Sequence, residues 1–280
     1  MIHLIMILTA LTVASLLRCC WSETQDSWRI RWRQTLFVFL FPPLLIVTTL
    51  IALLCMGPQG RMGGLQAGWF SYVLALGCVV SFIILCIKLM WQGWQSVKSA
   101  RNCSLIEVAG RQVRLLETEA LFAGQIGFWQ PELVLSKGLL QTLSPDSIET
   151  VIAHEQGHYH YRDTFWFFWL GWLRSCTAWL PKTDALWQEL LVLRELRADA
   201  HAALQVDPLL LAESLVLVVS SSPLSSEIFC AALGSKDVDR LEQRINALIS
   251  QSEPIPETQS QSWIYLLLAF LPLVSVAFHS

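Results

Sequence analysis

The segment that decides how this chain is interpreted is VIAHEQGHYHYRD, residues 151–163. His154 and His158 are four residues apart, so on a helix both imidazoles project from the same face, one turn apart. Glu155 is rotated by about 100° from His154 and reaches the same space. This spacing lets two histidines hold zinc while the glutamate takes a proton from water. The alternative interpretation is a helix that carries two incidental surface histidines.

A catalytic zinc site needs a third protein ligand and one open position. The segment LRELRADAH, residues 193–201, offers Glu195, and the apolar residues 186–193 before it indicate a helix. Asp199 is four residues further on, so its carboxylate shares this face and could accept the ring N–H of a ligating histidine. The alternative is an exposed helix on which these carboxylates pair with neighbouring arginines.

Three further polar residues near these motifs are weaker candidates. His160 and His201 are expected to be surface or interfacial histidines rather than ligands. Asp163 is expected to cap the next helix or to pair with Arg162. The chain has eight cysteines but no CxxC pair, which argues against a cysteine-ligated zinc site.

The composition predicts a multi-pass membrane protein. Hydrophobic residues make up 54% of the chain and charged residues 15%, with a mean hydropathy of +0.49. Apolar runs at about 2–17, 35–56 and 68–90 predict three transmembrane helices in a membrane domain, residues 1–94. A linker and a fourth span at about 263–278 make up residues 253–280. The formal net charge of -3 argues against direct binding of nucleic acid.

The arginines predict the orientation in the membrane. Four lie between the first two runs, whereas one, Arg61, lies between the second and third. Because basic residues stay cytoplasmic in short loops, we expect the N-terminus outside and residues 95–252 in the cytoplasm. Residues 164–180 look like another span. A single crossing there would separate His158 from Glu195, so this segment and residues 208–220 are expected to stay out of the bilayer core.

The sequence of the cytoplasmic part predicts a mainly helical domain with a small sheet. Short alternating stretches interrupted by glycine and proline lie between residues 104 and 138. A strand around Glu132–Ser136 is expected to hold an extended substrate through backbone hydrogen bonds. Ser144 and Pro145 then predict a helix start, with serine as the cap.

Larger parts of the chain resemble a known group of enzymes. HEQGHYHYRD followed by RELRAD is similar to the BlaR/MecR-type integral-membrane zinc metallopeptidases and, more distantly, to the HtpX-type proteases. The resemblance extends through QPELVLSKGLLQTLSPDSIETVIAHE and DRLEQRINALIS. It implies a gluzincin-like protease domain with one Zn²⁺ per chain held by His154, His158 and Glu195. It also implies Glu155 as general base and Asp199 as the carboxylate behind a ligand.

The resemblance implies a multi-pass zinc endopeptidase of a bacterial inner membrane that cleaves a protein or peptide substrate at the cytoplasmic face. Regulated cleavage of a cytoplasmic transcriptional repressor is the first expectation. The alternatives are HtpX-like quality control of membrane proteins and a zinc-binding signalling scaffold without turnover. The chain ends soon after the fourth run, where BlaR/MecR-type receptors carry a penicillin-binding sensor. Direct sensing of β-lactams is therefore not expected.

Overall fold

The computed structural model describes residues 2–24, 26–58, 61–62, 65–66, 69–220, 235–250 and 262–278. In these residues the chain is mainly helical with a small mixed sheet. It divides into two compact units. The first consists of residues 1–90, 169–191 and 257–280, and the second of residues 91–168 and 192–256.

The first unit contains the helices that could cross a membrane. Helices α1 (Ile2–Cys20), α2 (Trp28–Met56) and α3 (Trp69–Arg101) are long and apolar enough to span a bilayer. Each is longer than the apolar run that predicted it, because polar residues at the ends continue the helix. From Trp91 onward, α3 belongs to the second unit. These three helices indicate a membrane protein, as the composition predicted.

The fourth predicted span is not a continuous helix. Residues 262–278 form short α-helical segments at Ser262–Tyr265 and Leu271–Val274, which alternate with 3-10 segments. A span at this place therefore stays a prediction. The linker before it, residues 251–261, lies outside the described residues.

The second unit contains a four-stranded sheet, as the sequence predicted. Its strands are β3 (Ser104–Val108), β4 (Arg111–Leu116), β5 (Ala123–Ile126) and β6 (Glu132–Ser136). Two short strands of two residues each, β1 (Arg61–Met62) and β2 (Leu65–Gln66), precede them in the first unit and pair with each other. The sheet order is β3-β4-β6-β5, with β4 and β6 parallel and the other pairs antiparallel.

This strand order corrects one prediction. Strand β6, around Glu132–Ser136, pairs with β4 on one side and β5 on the other, so its backbone groups are already used. The prediction that this strand receives the substrate is therefore wrong. Strand β5 lies at the edge of the sheet and pairs only with β6 within the described residues.

The helices that follow the sheet carry both histidine and carboxylate motifs. They are α4 (Lys137–Thr142), α5 (Pro145–His160), α6 (Asp163–Cys176), α7 (Thr183–Ala202), α8 (Pro208–Ser220) and α9 (Ser235–Ile249). Helix α5 begins as predicted, because Ser144 accepts a hydrogen bond from the Ser147 N–H and Pro145 stands in the first turn. Helix α6 has 14 residues, fewer than a simple span needs.

Helix α5 is the central helix of the second unit. Ile148, Val151 and Ile152 pack in one buried cluster with side chains of the sheet and α4. Ala153 packs in a second cluster with apolar side chains of α8 and α9. Since both flanks of α5 are buried, the histidine face is held between elements that come from distant parts of the chain.

Candidate metal centre

The three predicted ligands meet at one point. His154 and His158 lie on α5 and Glu195 on α7, and one ligand atom from each lies within 4.8 Å of the others. The two Nε2 atoms are 3.2 Å apart. Glu195 Oε2 lies 3.3 Å from His154 Nε2 and 3.6 Å from His158 Nε2. The side chains therefore converge as ligands of a single ion would.

These separations fit zinc. Ligand atoms about 2.0–2.1 Å from a tetrahedral ion lie about 3.4 Å from one another, and the three observed distances bracket that value. Two imidazole nitrogens and one carboxylate oxygen are also a known donor set of catalytic zinc, which leaves a fourth position for water or substrate. The residues at this point can hold a Zn²⁺ ion.

A carboxylate lies behind each imidazole. His158 Nδ1 is 2.7 Å from Asp163 Oδ2 and forms a hydrogen bond with it. His154 Nδ1 is 2.8 Å from Asp199 Oδ1. Both carboxylates are buried. They orient the rings so that Nε2 faces the point of convergence, the usual arrangement behind metal-bound histidines.

Arg244, on α9, joins the carboxylates of α7. Its Nε and Nη2 atoms donate to the two oxygens of Asp199 at 2.7 and 2.8 Å, which is bidentate geometry. Its Nη1 lies 3.6 Å from Glu195 Oε2. One mostly buried guanidinium thus contacts both the candidate ligand Glu195 and the residue that supports His154.

Two other arginines complete the charge balance. Arg194 donates to Glu195 Oε1 at 2.9 and 2.7 Å, so the second oxygen, Oε2, is the one that faces the histidines. Arg197 forms an ion pair with Asp163. Each of the three carboxylates is therefore bound by an arginine, which offsets the cost of burying its charge.

Contacts among these side chains shift the pKa values of the three candidate ligands. Burial lowers the pKa of His154, but contacts with Asp199 and Glu195 outweigh burial and raise this pKa to about 10. The pKa of His158 is raised in the same way, against burial, by Asp163 and Glu195. Burial raises the pKa of Glu195, yet the two histidines and the arginines bring it well below its usual value. A metal ion would displace protons from both imidazoles.

Glu155 differs from the other carboxylates of the site. Its side chain is buried, and within the described part of the chain its carboxylate forms no hydrogen bond or ion pair. Its backbone carbonyl accepts a hydrogen bond of 3.3 Å from the side chain of Gln125 on β5. This places the edge strand beside the residue that the sequence predicts as the general base, and leaves that carboxylate available for water.

Gly157 allows the two ligand-bearing helices to approach each other. A Cβ atom at this position would lie 2.9 Å from the Cα and 3.0 Å from the carbonyl oxygen of Ala198. Atoms of separate residues do not pack that closely, so any larger side chain would push α5 and α7 apart. The glycine in HEQGH therefore sets the separation of the helices that carry His158 and Glu195.

The three weaker candidates have different surroundings: Asp163 contacts His158, whereas His160 and His201 contact each other. His160 and His201 stack on each other with ring centroids 4.6 Å apart, and neither belongs to the ligand cluster. Asp163 is the first residue of α6, but it binds His158 and Arg197, so the predicted pairing with Arg162 is wrong.

Sequence reasoning missed Asp163, Arg197 and Arg244 as parts of the site. Asp163 follows His158 by five residues across a tight turn, and this local signal could have been used. Arg244 is 45 residues beyond Asp199 and reaches it only through the packing of α9. No spacing rule indicates such a contact.

Comparisons with known proteins agree with this geometry over part of the chain. No curated protein and no solved structure matches the chain. The model of Peptidase family M48 matches residues 109–189, less than a third of the sequence. The match contains the sheet from β4 onward and the HEQGH motif, and ends before Glu195. The segment around His154, Glu155 and His158 is therefore similar to Peptidase family M48, a family of zinc metallopeptidases.

Proposed function

We propose that this protein is a membrane-anchored, zinc-dependent endopeptidase that cleaves a protein substrate. The observation that carries the proposal is the convergence of His154, His158 and Glu195 within 4.8 Å, beside the free carboxylate of Glu155. The match to Peptidase family M48 and the three apolar helices support it.

The side chains have distinct roles in the proposed reaction. Zinc, when bound by the two histidines and Glu195, would polarise a peptide carbonyl and make water more acidic. Glu155 takes a proton from the attacking water and delivers it to the leaving amine, the work of a general base that then acts as a general acid. Asp163 and Asp199 hold the imidazoles in position.

Strand β5 is the proposed docking strand for the substrate. It is at the edge of the sheet, and Gln125 in it is hydrogen-bonded to the backbone of Glu155. An extended peptide added to this edge would bind mainly through backbone hydrogen bonds. Such binding selects an extended conformation, while side-chain selectivity depends on neighbouring clefts.

We place the active site on the cytoplasmic side, as the arginine distribution predicts, and propose regulated cleavage of a cytoplasmic protein such as a repressor. A reporter fused after Arg101 should behave as cytoplasmic, and one fused after Gly64 as external. The opposite pattern would place the site outside and end the repressor hypothesis. Comparing the proteomes of cells with wild-type protein and with Glu155→Gln would then identify the substrate.

The test of the enzyme proposal uses Glu155→Gln and Glu195→Ala. Wild-type protein should hold about one zinc per chain. Glu155→Gln should keep the zinc but lose turnover of a peptide substrate by at least about 10²-fold. Glu195→Ala should lose most of the zinc, whereas Glu149→Ala, an exposed position on α5, should behave as wild type. If Glu155→Gln matches wild type in cells while His154→Ala matches a deletion, the protein is a zinc-binding scaffold and not a protease.

A further inference from the structure

A second concave site lies on the second unit, beside the candidate metal centre. It is a cleft of about 410 Å³ between the start of β4, the loop after β5 and helices α5 and α7. None of the three candidate zinc ligands lines it. The side chains that matter for its chemistry are those of Arg111, Trp129, Tyr159, His160, Arg162 and His201. Its volume falls within the range of clefts that bind small ligands or a few residues of a peptide.

The cleft carries positive charge that the described residues do not neutralise. The guanidinium groups of Arg111 and Arg162 form no ion pair in the described part of the chain, and no acidic side chain lines the cleft. An unpaired guanidinium offers a planar set of donors that fits a carboxylate. Two such groups in one cleft favour an anionic ligand.

Two carboxylates close to the cleft have other partners: Asp163, and Glu132 in a groove that shares Arg111 with the cleft. Asp163 follows Arg162 directly, but it is buried and bound to His158 and Arg197. Glu132 lines the neighbouring groove with Arg111, but it accepts hydrogen bonds from Arg114 at 2.7 Å and Arg101 at 2.8 Å. Both negative charges near the cleft are therefore already engaged.

The other walls of the cleft are aromatic. The stacked rings of His160 and His201 form one side, and Trp129 and Tyr159 are both more than half exposed. Trp129 lies three residues after the end of β5, the proposed docking strand. An extended peptide on β5 would therefore run directly toward the cleft.

We propose that this cleft is a specificity site that binds acidic side chains of the protein substrate near the cleaved bond. The proposal rests on the proposed function, since it assigns the cleft to the same substrate. Arg111 and Arg162 bind the carboxylates, and the aromatic walls cover the aliphatic part of the side chain. Acidic substrates are selected by this contact, whereas the β5 edge binds any extended peptide.

The test compares peptides that differ only in charge. Full-length protein loaded with zinc is assayed with a neutral peptide that it cleaves and with variants that carry Glu instead of Gln at each position near the cleaved bond. At least one Glu peptide should have a KM lower by about tenfold at unchanged kcat, the size expected for charge-assisted hydrogen bonds. Uniform binding to the ground state and the transition state changes KM alone.

Matched variants assign the effect to the cleft. Arg111→Gln/Arg162→Gln should abolish the preference for Glu, so that Glu and Gln peptides have the same KM. Lys98→Gln/Lys137→Gln removes the same charge from one exposed and one half-buried position, neither of which lines the cleft, and should keep the preference. The Arg111→Glu/Arg162→Glu protein should prefer Lys peptides instead, because the charge of the cleft is then negative.

Binding to the Glu155→Gln protein separates this proposal from the proposed function. Fluorescently labelled Glu peptides should bind this protein about tenfold more tightly than Gln peptides, and the arginine variants should remove the difference, whether or not any peptide is cleaved. Equal binding of Glu and Gln peptides would overturn the proposal. So would arginine variants that lose binding to vesicles of anionic phospholipid while they keep the peptide preference, since the cleft would then bind a lipid headgroup.

Discussion

The Cα atom of Ala198 lies 2.9 Å from the position that a Cβ atom on Gly157 would occupy. Two of the three nearest atoms belong to the Ala198 backbone, which cannot rotate away as a side chain would. The distance between the two ligand-bearing helices is therefore set where a glycine meets the backbone of the opposite helix.

Substitution of Gly157 should damage the metal centre through this contact. Gly157→Ala should destabilise the folded protein by about 1–3 kcal/mol, the usual cost of overpacking, and should weaken zinc binding. Thermal unfolding and zinc content measure the two effects. Adding Ala198→Gly should not rescue the variant, because the clash is with backbone atoms. The control Gly171→Ala has only a ring carbon of Trp187 at 3.8 Å and should be neutral or stabilising.

Asp163 should matter for zinc as much as Asp199 does. Asp163→Asn replaces the charged acceptor of the His158 hydrogen bond with a neutral amide and leaves Arg197 without its carboxylate. We expect zinc affinity to fall by about 10–100-fold, the usual effect of mutating the hydrogen-bond partner of a metal-bound histidine. Competition with a chelator of known affinity measures it. Asp207→Asn, at an exposed site, is the control, and an Asp163→Asn protein with wild-type affinity would contradict the role of Asp163.

Zinc binding should depend on the paired hydrogen bonds of Arg244 as well as on its charge. Arg244→Lys keeps the charge but loses the paired hydrogen bonds to Asp199, so zinc affinity should fall by about tenfold. Arg244→Met removes the guanidinium from the buried Asp199 carboxylate, which then has only His154 beside it, and should cost about 3–5 kcal/mol of stability. Arg240→Lys, one turn earlier on α9, makes the same exchange outside this contact and is the control. Equal zinc retention in both lysine variants would show that Arg244 does not support the site.

Zinc binding should strengthen as pH rises. In the metal-free protein the pKa of His154 is raised from its usual 6.5 to about 10, so zinc competes with a proton over that range. The apparent dissociation constant should fall by at least about tenfold per pH unit between pH 6.5 and the pKa of His154 at about 10. The contacts of protonated His154 with Asp199 and Glu195 also stabilise the metal-free protein. This contribution to the free energy of unfolding is fully present below pH 6.5 and is lost as the pH rises toward 10. Titrations at pH 6.5, 7.5 and 8.5, corrected for the chelator, test this, and a flat affinity would contradict it.

The site residues on helices could be predicted because their relation is local. His154 with His158, and Glu195 with Asp199, are each four residues apart, and helix geometry puts each pair on one face. The start of α5 was predictable for the same reason, since Ser144 and Pro145 act within one turn. The sequence could also pair the two motifs, because catalytic zinc requires a third ligand.

Relations between distant segments could not be predicted in this way. Strand alternation identified β6 as a strand but not its neighbours, and the parallel pairing of β4 with β6 is what pushes β5 to the edge. Arg244 reaches Asp199 because apolar residues of α8 and α9 pack on α5. Such contacts depend on the whole core and leave no short pattern in the chain.

The contact between Arg244 and Asp199 also bears on how the protein is synthesised. The two residues are 45 positions apart, so a ribosome adding roughly 5–20 residues per second needs about 2–9 seconds to go from one to the other. During this interval both histidines and Glu195 have been made, but the guanidinium that joins the α7 carboxylates has not. A nascent chain therefore carries all three candidate zinc ligands before the arginine that supports them, and we expect tight metal binding only after α9 has left the ribosome.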